Sequence, residues 1–276
     1  MIHQNFNIKT NEIFTKLILR KKIISNQNFH TDRNDNYLNQ LGENNLHHKV
    51  SIVIPAFNEE KTIGDLINGI CSKFNSDCEL IVIDDGSTDK TAECANCNGT
   101  KILRNNRNLG YGGALIRGIN HAIGDIIVTI DGDAQNKPEE INRLIKPIIK
   151  GEADFVVGSR HLGTANAPIP LFKKAAERVV YYIIKFVYRT EITYSQSGFR
   201  AIKRKVLNSI MPLTEKKFAF SMDILTKAIK NGFRVKEVPI TIMPRPHGNS
   251  RVNVLKDGIR IVWVLIKNII KGKRRY

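Results

Sequence analysis

A regular alternation of strand-like and helix-like segments begins at Val50 and limits the fold of this chain more than any other feature. Short runs rich in Val and Ile, typical of buried strands, are each followed by a stretch whose apolar residues recur at helical spacing. The predicted strands are VSIVIPAF (50–57), CELIVIDDGS (78–87), TKILRN (100–105), DIIVTIDGD (125–133) and DFVVGSR (154–160). The predicted helices are EKTIGDLINGICSKF (60–74), DKTAECA (89–95), GGALIRGINHAIG (112–124) and PEEINRLIKPIIKG (138–151). This pattern predicts an α/β fold, with a mainly parallel sheet and helices on both of its faces.

Carboxylates stand at the edge of that sheet where a ligand would bind. Ligands of open parallel sheets lie beyond the carboxyl ends of the strands. Here Asp84-Asp85 follows one strand and Asp131-Gly132-Asp133 follows another. An Asp-x-Asp at a strand end offers the hard oxygen ligands that Mg²⁺ or Mn²⁺ prefers, and such a metal can bind a diphosphate. A solvated turn would also explain a single Asp-Gly-Asp.

Two common phosphate-binding loops are missing from the sequence. The first predicted strand leads into PAFNEE (55–60) and not into G-x-G-x-x-G, and the P-loop pattern occurs nowhere in the chain. The glycine-rich stretch LGYGGALIRG (109–118) fits neither pattern. A dinucleotide-dependent dehydrogenase and a P-loop enzyme are therefore disfavoured.

The chain is strongly basic, with 43 Lys and Arg against 26 Asp and Glu and a formal charge of +17. Such an excess favours a polyanionic partner, whether nucleic acid, anionic membrane or phosphorylated substrate. We expect no nucleic-acid partner, because no recognised RNA- or DNA-binding module is visible and an acidic sheet edge would repel a phosphate backbone. No apolar run reaches the roughly 18 residues of a membrane span, and no signal peptide is recognised. We therefore expect a protein of the cytosol or of a membrane surface that faces it.

Six short motifs follow one another along the chain: IVIPAFNEE, VIDDGSTDKT, RNLGYGGALIRG, DGDAQ, GSR and QSGFRAIKR. Together they resemble the family-2 inverting glycosyltransferases, most closely the branch of dolichyl-phosphate mannose synthases and polyprenyl-phosphate glycosyltransferases. The resemblance covers roughly Val50 to Gly258. It implies the GT-A fold, a nucleotide-sugar donor, a divalent metal (Mg²⁺ or Mn²⁺) and transfer of a hexosyl group with inversion.

The same resemblance implies roles for individual residues. Asp84 would meet the base or ribose, and Asp131 and Asp133 would bind donor and metal with Gln135 nearby. The nucleotide-sugar contacts implied by these motifs are Pro55, Phe57, Asn58, Glu59, Asp84, Asp85, Asp131, Ala134, Gln135 and Arg160.

Arginines and a loop complete the implied site. Arg160 and Arg200 would neutralise phosphate oxygens, and Arg200 would join Asp133 in catalysis. The loop PRPHGNSRVN (244–253) resembles the family's R-x-x-G-x-S-K loop, with an arginine in place of the usual lysine. Its implied contacts with the diphosphate are Arg245, Ser250 and Arg251.

The chain departs from the family where a base for the acceptor would lie. Relatives often carry an acidic residue just before QSGFR, where this chain has Tyr194-Ser195, and FAFSMDIL (218–225) contains Asp223 as its only carboxylate. An acceptor hydroxyl would need a general base, for which Asp223 is the candidate. A phosphate monoester is already ionised at neutral pH and needs none. The sequence therefore favours a phosphate acceptor, which the resemblance implies is a polyprenyl or dolichyl phosphate, while transfer to a soluble sugar or another hydroxyl stays open.

Two segments carry matching basic stripes beside large apolar faces. In each, four Lys or Arg stand at offsets 0, 4, 11 and 15, which lie on one side of a helix. They are Lys174, Arg178, Lys185 and Arg189 in the first segment and Lys256, Arg260, Lys267 and Lys271 in the second. We predict that both helices lie on an anionic membrane surface, so that the enzyme is peripheral on the cytoplasmic side. A solvated face on core helices would also explain each stripe.

The sequence divides into a poorly ordered polar extension (1–48), a GT-A glycosyltransferase domain (49–245) and a basic loop with a C-terminal amphipathic helix (246–276). The donor stays open between GDP-mannose and UDP-glucose or UDP-N-acetylglucosamine, because an aspartate can accept from guanine or uracil N–H groups. The resemblance favours GDP-mannose. A membrane-protein partner or a homo-oligomer also stays open.

Overall fold

The computed structural model of the protein describes residues 48–74, 78–97, 99–166, 171–248 and 254–270. The predictions for residues 1–47, Ser250, Arg251 and Lys271 lie outside these described residues. The strands are β1 (Val50–Ala56), β2 (Cys78–Asp84), β3 (Thr100–Arg104), β4 (Ile126–Thr129), β5 (Phe155–Ala165), β6 (Arg200–Lys203) and β7 (Val235–Ile242). They form one sheet in the order β3-β2-β1-β4-β6-β5-β7.

The sheet is mainly parallel, which confirms the prediction. β1 pairs in parallel with β2 and β4, β2 with β3, and β5 with β7. β6 runs antiparallel to both β4 and β5. Neither β6 nor β7 is among the strands predicted from the alternation, whose last predicted strand ends at Arg160.

The helices are α1 (Ile63–Phe74), α2 (Thr91–Cys94), α3 (Tyr111–His121), α4 (Ile141–Ile149), α5 (Leu171–Val187), α6 (Arg204–Ile210), α7 (Phe220–Lys230) and α8 (Val254–Ile270). The apolar period of α1 becomes its buried face, made of Ile63, Leu66, Ile67, Ile70 and Phe74. Each such side chain contributes about 1.5–3 kcal/mol when it leaves water. α3 lies close to the sheet because Gly118 has no Cβ to collide with Val53 and Ile83.

The strand register brings chemically important segments to one edge of the sheet. Ala56 of β1 pairs with Asp84 of β2, so the loops that follow these two strands begin side by side. β6 starts at this edge because it is antiparallel to β4, and Thr129 Oγ1 donates to Gly198 O at 2.6 Å. The residues just before β6 therefore lie beside Asp131, which follows β4.

The C-terminal helix α8 packs against α5 and α7. Its buried side is apolar at Val264 and Leu265 and polar at Asn268, which donates to Asp223 Oδ1 at 3.0 Å. Arg260 Nε also donates to Glu215 Oε1 at 2.7 Å. Among the helices in the described ranges, none has both the length and the apolar character that a bilayer crossing requires.

Candidate active site

A cavity of about 660 Å³ opens at the edge where β1, β2 and β4 end. Its volume is within the usual range of ligand sites, about 300–1,000 Å³. The walls come from the loops after β1 and β4, the first turn of α3, and the N-terminal halves of α5 and α8. Of the residues implied by the resemblance, those that line it are Pro55, Phe57, Glu59, Asp85, Asp131, Asp133, Gln135, Arg160 and Arg245.

Asp131 is held in place on two sides. The hydroxyl of Tyr111 donates to Asp131 Oδ1 at 2.9 Å. Gly198 lies so close that a Cβ there would collide with the carboxylate. The glycine of the QSGFR motif is therefore required by a close approach to a carboxylate, and the conformation of Asp131 is well defined.

Asp133 lies two residues further on and meets a cation. Its Oδ1 accepts from the backbone N–H of Gln135 at 3.2 Å. Arg245 Nη1 is 3.8 Å from Asp133 Oδ2, and the same guanidinium forms an ion pair with Glu59. Arg245 thus joins the end of the β1 loop to the acidic pair, where the resemblance places the diphosphate.

The electrostatics of this acidic pair favour a bound cation. Burial, together with repulsion from Asp133, raises the pKa of Asp131 to about 7, and burial also raises the pKa of Asp133. A divalent ion would compensate both charges. The described residues hold no cluster of three or more His, Cys, Asp or Glu side chains that could bind a metal. Two carboxylates suit Mg²⁺ or Mn²⁺, because such ions commonly keep waters and take further ligands from substrate phosphates.

Gln135 fits the same donor set. Its Nε2 donates to Met243 O at 3.0 Å, so the amide oxygen Oε1 points away from Met243 O. Its side chain lines the cavity beside Asp133. An amide oxygen in this position could serve as a further oxygen ligand.

Of the two neighbouring aspartates at the end of β2, Asp84 and Asp85, only Asp85 lines the cavity. The side chain of Asp84 is fully buried, accepts from Ser87 N at 2.8 Å and pairs with Arg104 Nε at 3.1 Å. It organises the turn after β2 and does not line the cavity, so its contact with the base or ribose stays a prediction. Asp85 lines the cavity and accepts from Leu109 N and Gly110 N at the start of α3.

Asn58 and Ala134 shape loops next to the cavity. Both have positive φ angles, 54° and 56°, a conformation that asparagine tolerates better than alanine. Asn58 Oδ1 accepts from Thr88 N at 2.9 Å, which joins the loops after β1 and β2. Neither residue is among those lining the cavity, so their nucleotide contacts stay predictions.

Arg200 is not among the residues that line the cavity, so its contact with phosphate stays a prediction. Its guanidinium is buried at 1% exposure and donates to three backbone carbonyls. The acceptors are the carbonyl oxygens of Ser195, Ser197 and Ser221. Burial lowers the pKa of Arg200 to about 10, so it stays charged at neutral pH. Arg200 therefore holds the loop before β6 in shape and adds positive charge near Asp131.

Asp223 is also not among the residues that line the cavity, so its role as a general base stays a prediction. Its carboxylate is buried at 2% exposure on α7. Oδ2 accepts from Lys227 Nζ at 2.6 Å and Oδ1 accepts from Asn268 at 3.0 Å. Both partners tie α7 to itself and to α8, and neither leaves the carboxylate facing an acceptor.

A second charged group lines the cavity around Arg160. The guanidinium pairs with Glu177 of α5 and lies 4.4 Å from the centre of the Tyr194 ring. His161 Nε2 is 3.1 Å from Glu177 Oε2. Lys173 of α5 also lines the cavity. Burial, together with the charge of Arg160, lowers the pKa of its ammonium. Arg160 and Lys173 thus bring two cations to the lining of the cavity, beside the carboxylate of Glu177.

Several of these residues escaped the sequence reasoning. Lys173 and Glu177 stand one helical turn apart, and Glu177 is the one acid in a helix otherwise apolar and basic, which is a signal that could have been used. Tyr194 was noted only as a departure from the family. Tyr111, stacked on Phe218 with ring centres 5.3 Å apart, had no local sequence signal.

Comparisons with known proteins identify the family of the chain. The Glycosyl transferase family 2 profile matches residues 51–211. An uncharacterised protein of Methanocaldococcus jannaschii is 33% identical over 223 residues, which cover 79% of this chain and 91% of that protein. A UDP-N-acetylglucosamine–dolichyl-phosphate N-acetylglucosaminyltransferase of Methanococcus voltae is 31% identical over 239 residues, covering 79% and 94%. An undecaprenyl-phosphate 4-deoxy-4-formamido-L-arabinose transferase of Photorhabdus laumondii is 32% identical over 224 residues, covering 75% and 64%.

Solved structures share the fold. The crystal structure of glucosyl-3-phosphoglycerate synthase from M. tuberculosis matches with a TM-score of 0.66 at 25% identity over 84% of both chains. The same enzyme in complex with Mn²⁺, UDP and phosphoglyceric acid matches with a TM-score of 0.66 at 24% identity, covering 81% of this chain and 79% of that chain. These likenesses confirm the predicted GT-A-type α/β fold. With the family match and the curated relatives, they show that the chain belongs to glycosyl transferase family 2 and is a glycosyltransferase.

Proposed function

We propose that this protein transfers a sugar from a nucleotide diphospho-sugar to a polyprenyl phosphate, with inversion and with a divalent metal. The observation that carries the proposal is one cavity lined by an acidic pair, Asp131 and Asp133, and by two cations, Arg160 and Lys173. We assign the acidic pair to a donor end, where it suits a metal-bound diphosphate, and the two cations to an acceptor end, where they suit an acceptor phosphate. The names of two relatives, which give dolichyl and undecaprenyl phosphate, support this acceptor class.

The donor end is built to stabilise a leaving diphosphate. Asp131, Asp133 and Gln135 would hold the metal, which acts as a Lewis acid on the diphosphate oxygens when bound. Arg245 lies 3.8 Å from Asp133 and could turn from the carboxylates onto the diphosphate. Positive charge placed there stabilises the negative charge that develops on the leaving group, which is the main catalytic need of this reaction.

The acceptor end is built to bind a phosphate monoester. Arg160 and Lys173 would pair with its oxygens, and the phosphate would compete with Glu177 for Arg160. Tyr194 packs on the guanidinium and fixes its plane. The acceptor has a second pKa of about 6, so an ionised oxygen is available for attack without a protein base. The buried position of Asp223 is compatible with that chemistry.

The donor is best supported as a uridine diphospho-sugar. A relative that is 31% identical and matched over 94% of its length carries UDP-N-acetylglucosamine in its name. This favours the UDP-sugar alternative over GDP-mannose, which the resemblance of the motifs alone had favoured. Asp85 is the aspartate of this region that lines the cavity, so it is the residue that we propose lies nearest the nucleoside.

We expect transfer from UDP-N-acetylglucosamine to a polyprenyl phosphate in detergent with Mn²⁺, and little transfer from GDP-mannose. The polyprenol without its phosphate is the matched acceptor control and should accept no sugar, because Arg160 and Lys173 then have no anion to bind. Radiolabelled product in the lipid phase is the measurement. Activity with GDP-mannose alone would overturn the donor assignment. Equal use of the polyprenol, or of a soluble sugar, would overturn the acceptor assignment.

The outer surfaces of α5 and α8 support a membrane-bound position. Two neighbouring helices carry large apolar side chains that face solvent, a feature typical of membrane or protein interaction sites. They are Leu171, Val179, Tyr182, Phe186 and Val187 on α5 and Ile259, Val262, Trp263, Ile266, Ile269 and Ile270 on α8. The predicted basic stripes are partly engaged in ion pairs, since Lys185 meets Glu191 and Arg260 meets Glu215. We therefore propose that apolar contact contributes more to docking than charge does.

Replacing Trp263 and Ile266 together by serine is expected to weaken binding to anionic vesicles by at least ~10-fold. Each side chain is about half exposed, at 54% and 50%, and would lose its burial in the bilayer interface. Lys267→Glu should have a smaller effect, since each cation near an anionic surface contributes about 1 kcal/mol. The control is Ile123→Ser, at an apolar site on the loop before β4 that is even more exposed, at 69%. Vesicle co-sedimentation measures all three variants, and an unchanged double variant would refute the membrane-facing assignment.

A further inference from the structure

The glycine-rich stretch Gly110–Gly113 has a role that no phosphate-loop pattern explains. In the fold it is the contact surface for the segment Glu215–Phe218. A Cβ at Gly112 would collide with the backbone of that segment. Gly113 N donates to Lys216 O at 3.1 Å. The glycines therefore let the start of α3 and the segment Glu215–Phe218 pack backbone to backbone.

This packing places an aromatic ring on Tyr111. The rings of Phe218 and Tyr111 stack with their centres 5.3 Å apart and their planes 16° from parallel. Tyr111 in turn donates its hydroxyl hydrogen to Asp131 Oδ1 at 2.9 Å. A carboxylate turns easily about its last bond, so a hydrogen bond to one oxygen fixes the direction of the other. Tyr111 thereby orients the carboxylate of Asp131.

We propose that Tyr111 is a positioning residue for Asp131 and that Phe218 acts through Tyr111, an inference that rests on the metal-dependent function proposed above. The glycines, the segment Glu215–Phe218 and the tyrosine form one support for the metal-binding carboxylate. Tyr111 touches neither the metal nor the donor in this role. Partners of this kind, which hydrogen-bond to a metal ligand, typically change metal affinity by about 10–100-fold when they are removed.

Binding of Mn²⁺, followed by electron paramagnetic resonance of the free ion with and without UDP, tests this role apart from catalysis. Tyr111→Phe keeps the ring on Phe218 and removes the hydroxyl, so its dissociation constant for Mn²⁺ should rise by ~10-fold or more. Tyr188→Phe is the matched control. It also loses a hydroxyl that donates a hydrogen bond, in this case to Leu265 O at 3.1 Å, and should bind Mn²⁺ as the parent does.

A double-mutant cycle tests the part played by Phe218. Phe218→Leu should weaken Mn²⁺ binding in the parent and have no further effect in the Tyr111→Phe background. An unchanged dissociation constant in Tyr111→Phe, while the parent binds Mn²⁺, overturns the positioning role. A Phe218→Leu effect that persists in full in that background overturns its action through Tyr111. A parent protein that binds no Mn²⁺ under either condition instead overturns the metal-dependent function itself.

Discussion

Replacing Asp131 or Asp133 by asparagine is expected to lower sugar transfer by at least ~100-fold, since losing a metal ligand removes several kcal/mol of transition-state stabilisation. Asparagine keeps the size of the side chain and, at Asp131, an oxygen that can still accept from Tyr111. The measurement is the rate of transfer at saturating donor, over a series of Mn²⁺ concentrations. A rate near that of the parent in the presence of EDTA would contradict the metal-dependent mechanism.

The stability of the same variant separates chemistry from folding. Folding raises the pKa of Asp131 from its ordinary value of 3.8 to about 7, so the folded protein binds this proton more tightly than the unfolded chain. Above pH 7 the buried carboxylate is ionised, and that ionisation costs folding free energy. Asp131→Asn removes the cost. Without metal at pH 8, its melting temperature should be no lower than that of the parent, and a clearly lower value would indicate that Asp131 is needed for the fold.

Replacing Arg160 by methionine is expected to lower transfer to polyprenyl phosphate by ~100-fold and to leave the affinity for UDP unchanged. Methionine keeps apolar contact with Tyr194 and removes the charge that would bind the acceptor phosphate. Glu177 would lose one of its two partners and keep His161, so the variant Arg160→Met/Glu177→Gln is measured beside it. Transfer rates at varied acceptor concentration report on the proposed acceptor contacts. Calorimetry with UDP reports on the donor contacts.

The matched control for this charge is Lys236→Met. Lys236 also pairs with a glutamate, Glu152, at 2.6 Å, but it lies on β7 outside the cavity. Lys236→Met should change neither the rate of transfer to polyprenyl phosphate nor the affinity for UDP. A loss of UDP affinity in Arg160→Met equal to its loss of transfer would place Arg160 on the donor diphosphate, the role that the sequence resemblance implied.

The parts of the site that were predictable follow their strands directly. Asp131 and Asp133 come immediately after β4, and Asp85 comes immediately after β2, so a parallel register was sufficient to bring them to one edge. Local sequence carries that information, because a strand and the loop that leaves it are contiguous. The same argument predicted the α/β class and the position of the cavity.

The orientation of other candidate residues depends on partners far along the chain. Arg200 lies in the QSGFR motif but is turned inward, where it donates to the carbonyl of Ser221, and Asp223 is turned inward by Asn268 of α8. No period in the sequence reports such contacts. The offsets of the basic residues place Lys174 in a basic stripe, but they give no sign that the neighbouring Lys173 lines the cavity. One residue along a helix turns the side chain by about 100°, so the two lysines point in different directions.

One helix borders both the reaction cavity and the apolar surface. Asp257 and Ile261 of α8 line the cavity, while Trp263 and Ile266 of the same helix face outward. A helix with its side chains is about 10–12 Å across. With α8 resting on the bilayer as proposed, a lipid-linked phosphate would need to rise only about that far to reach the sugar. The isoprenoid tail could stay dissolved in the membrane through the whole turnover, so the enzyme would have no need to extract its acceptor.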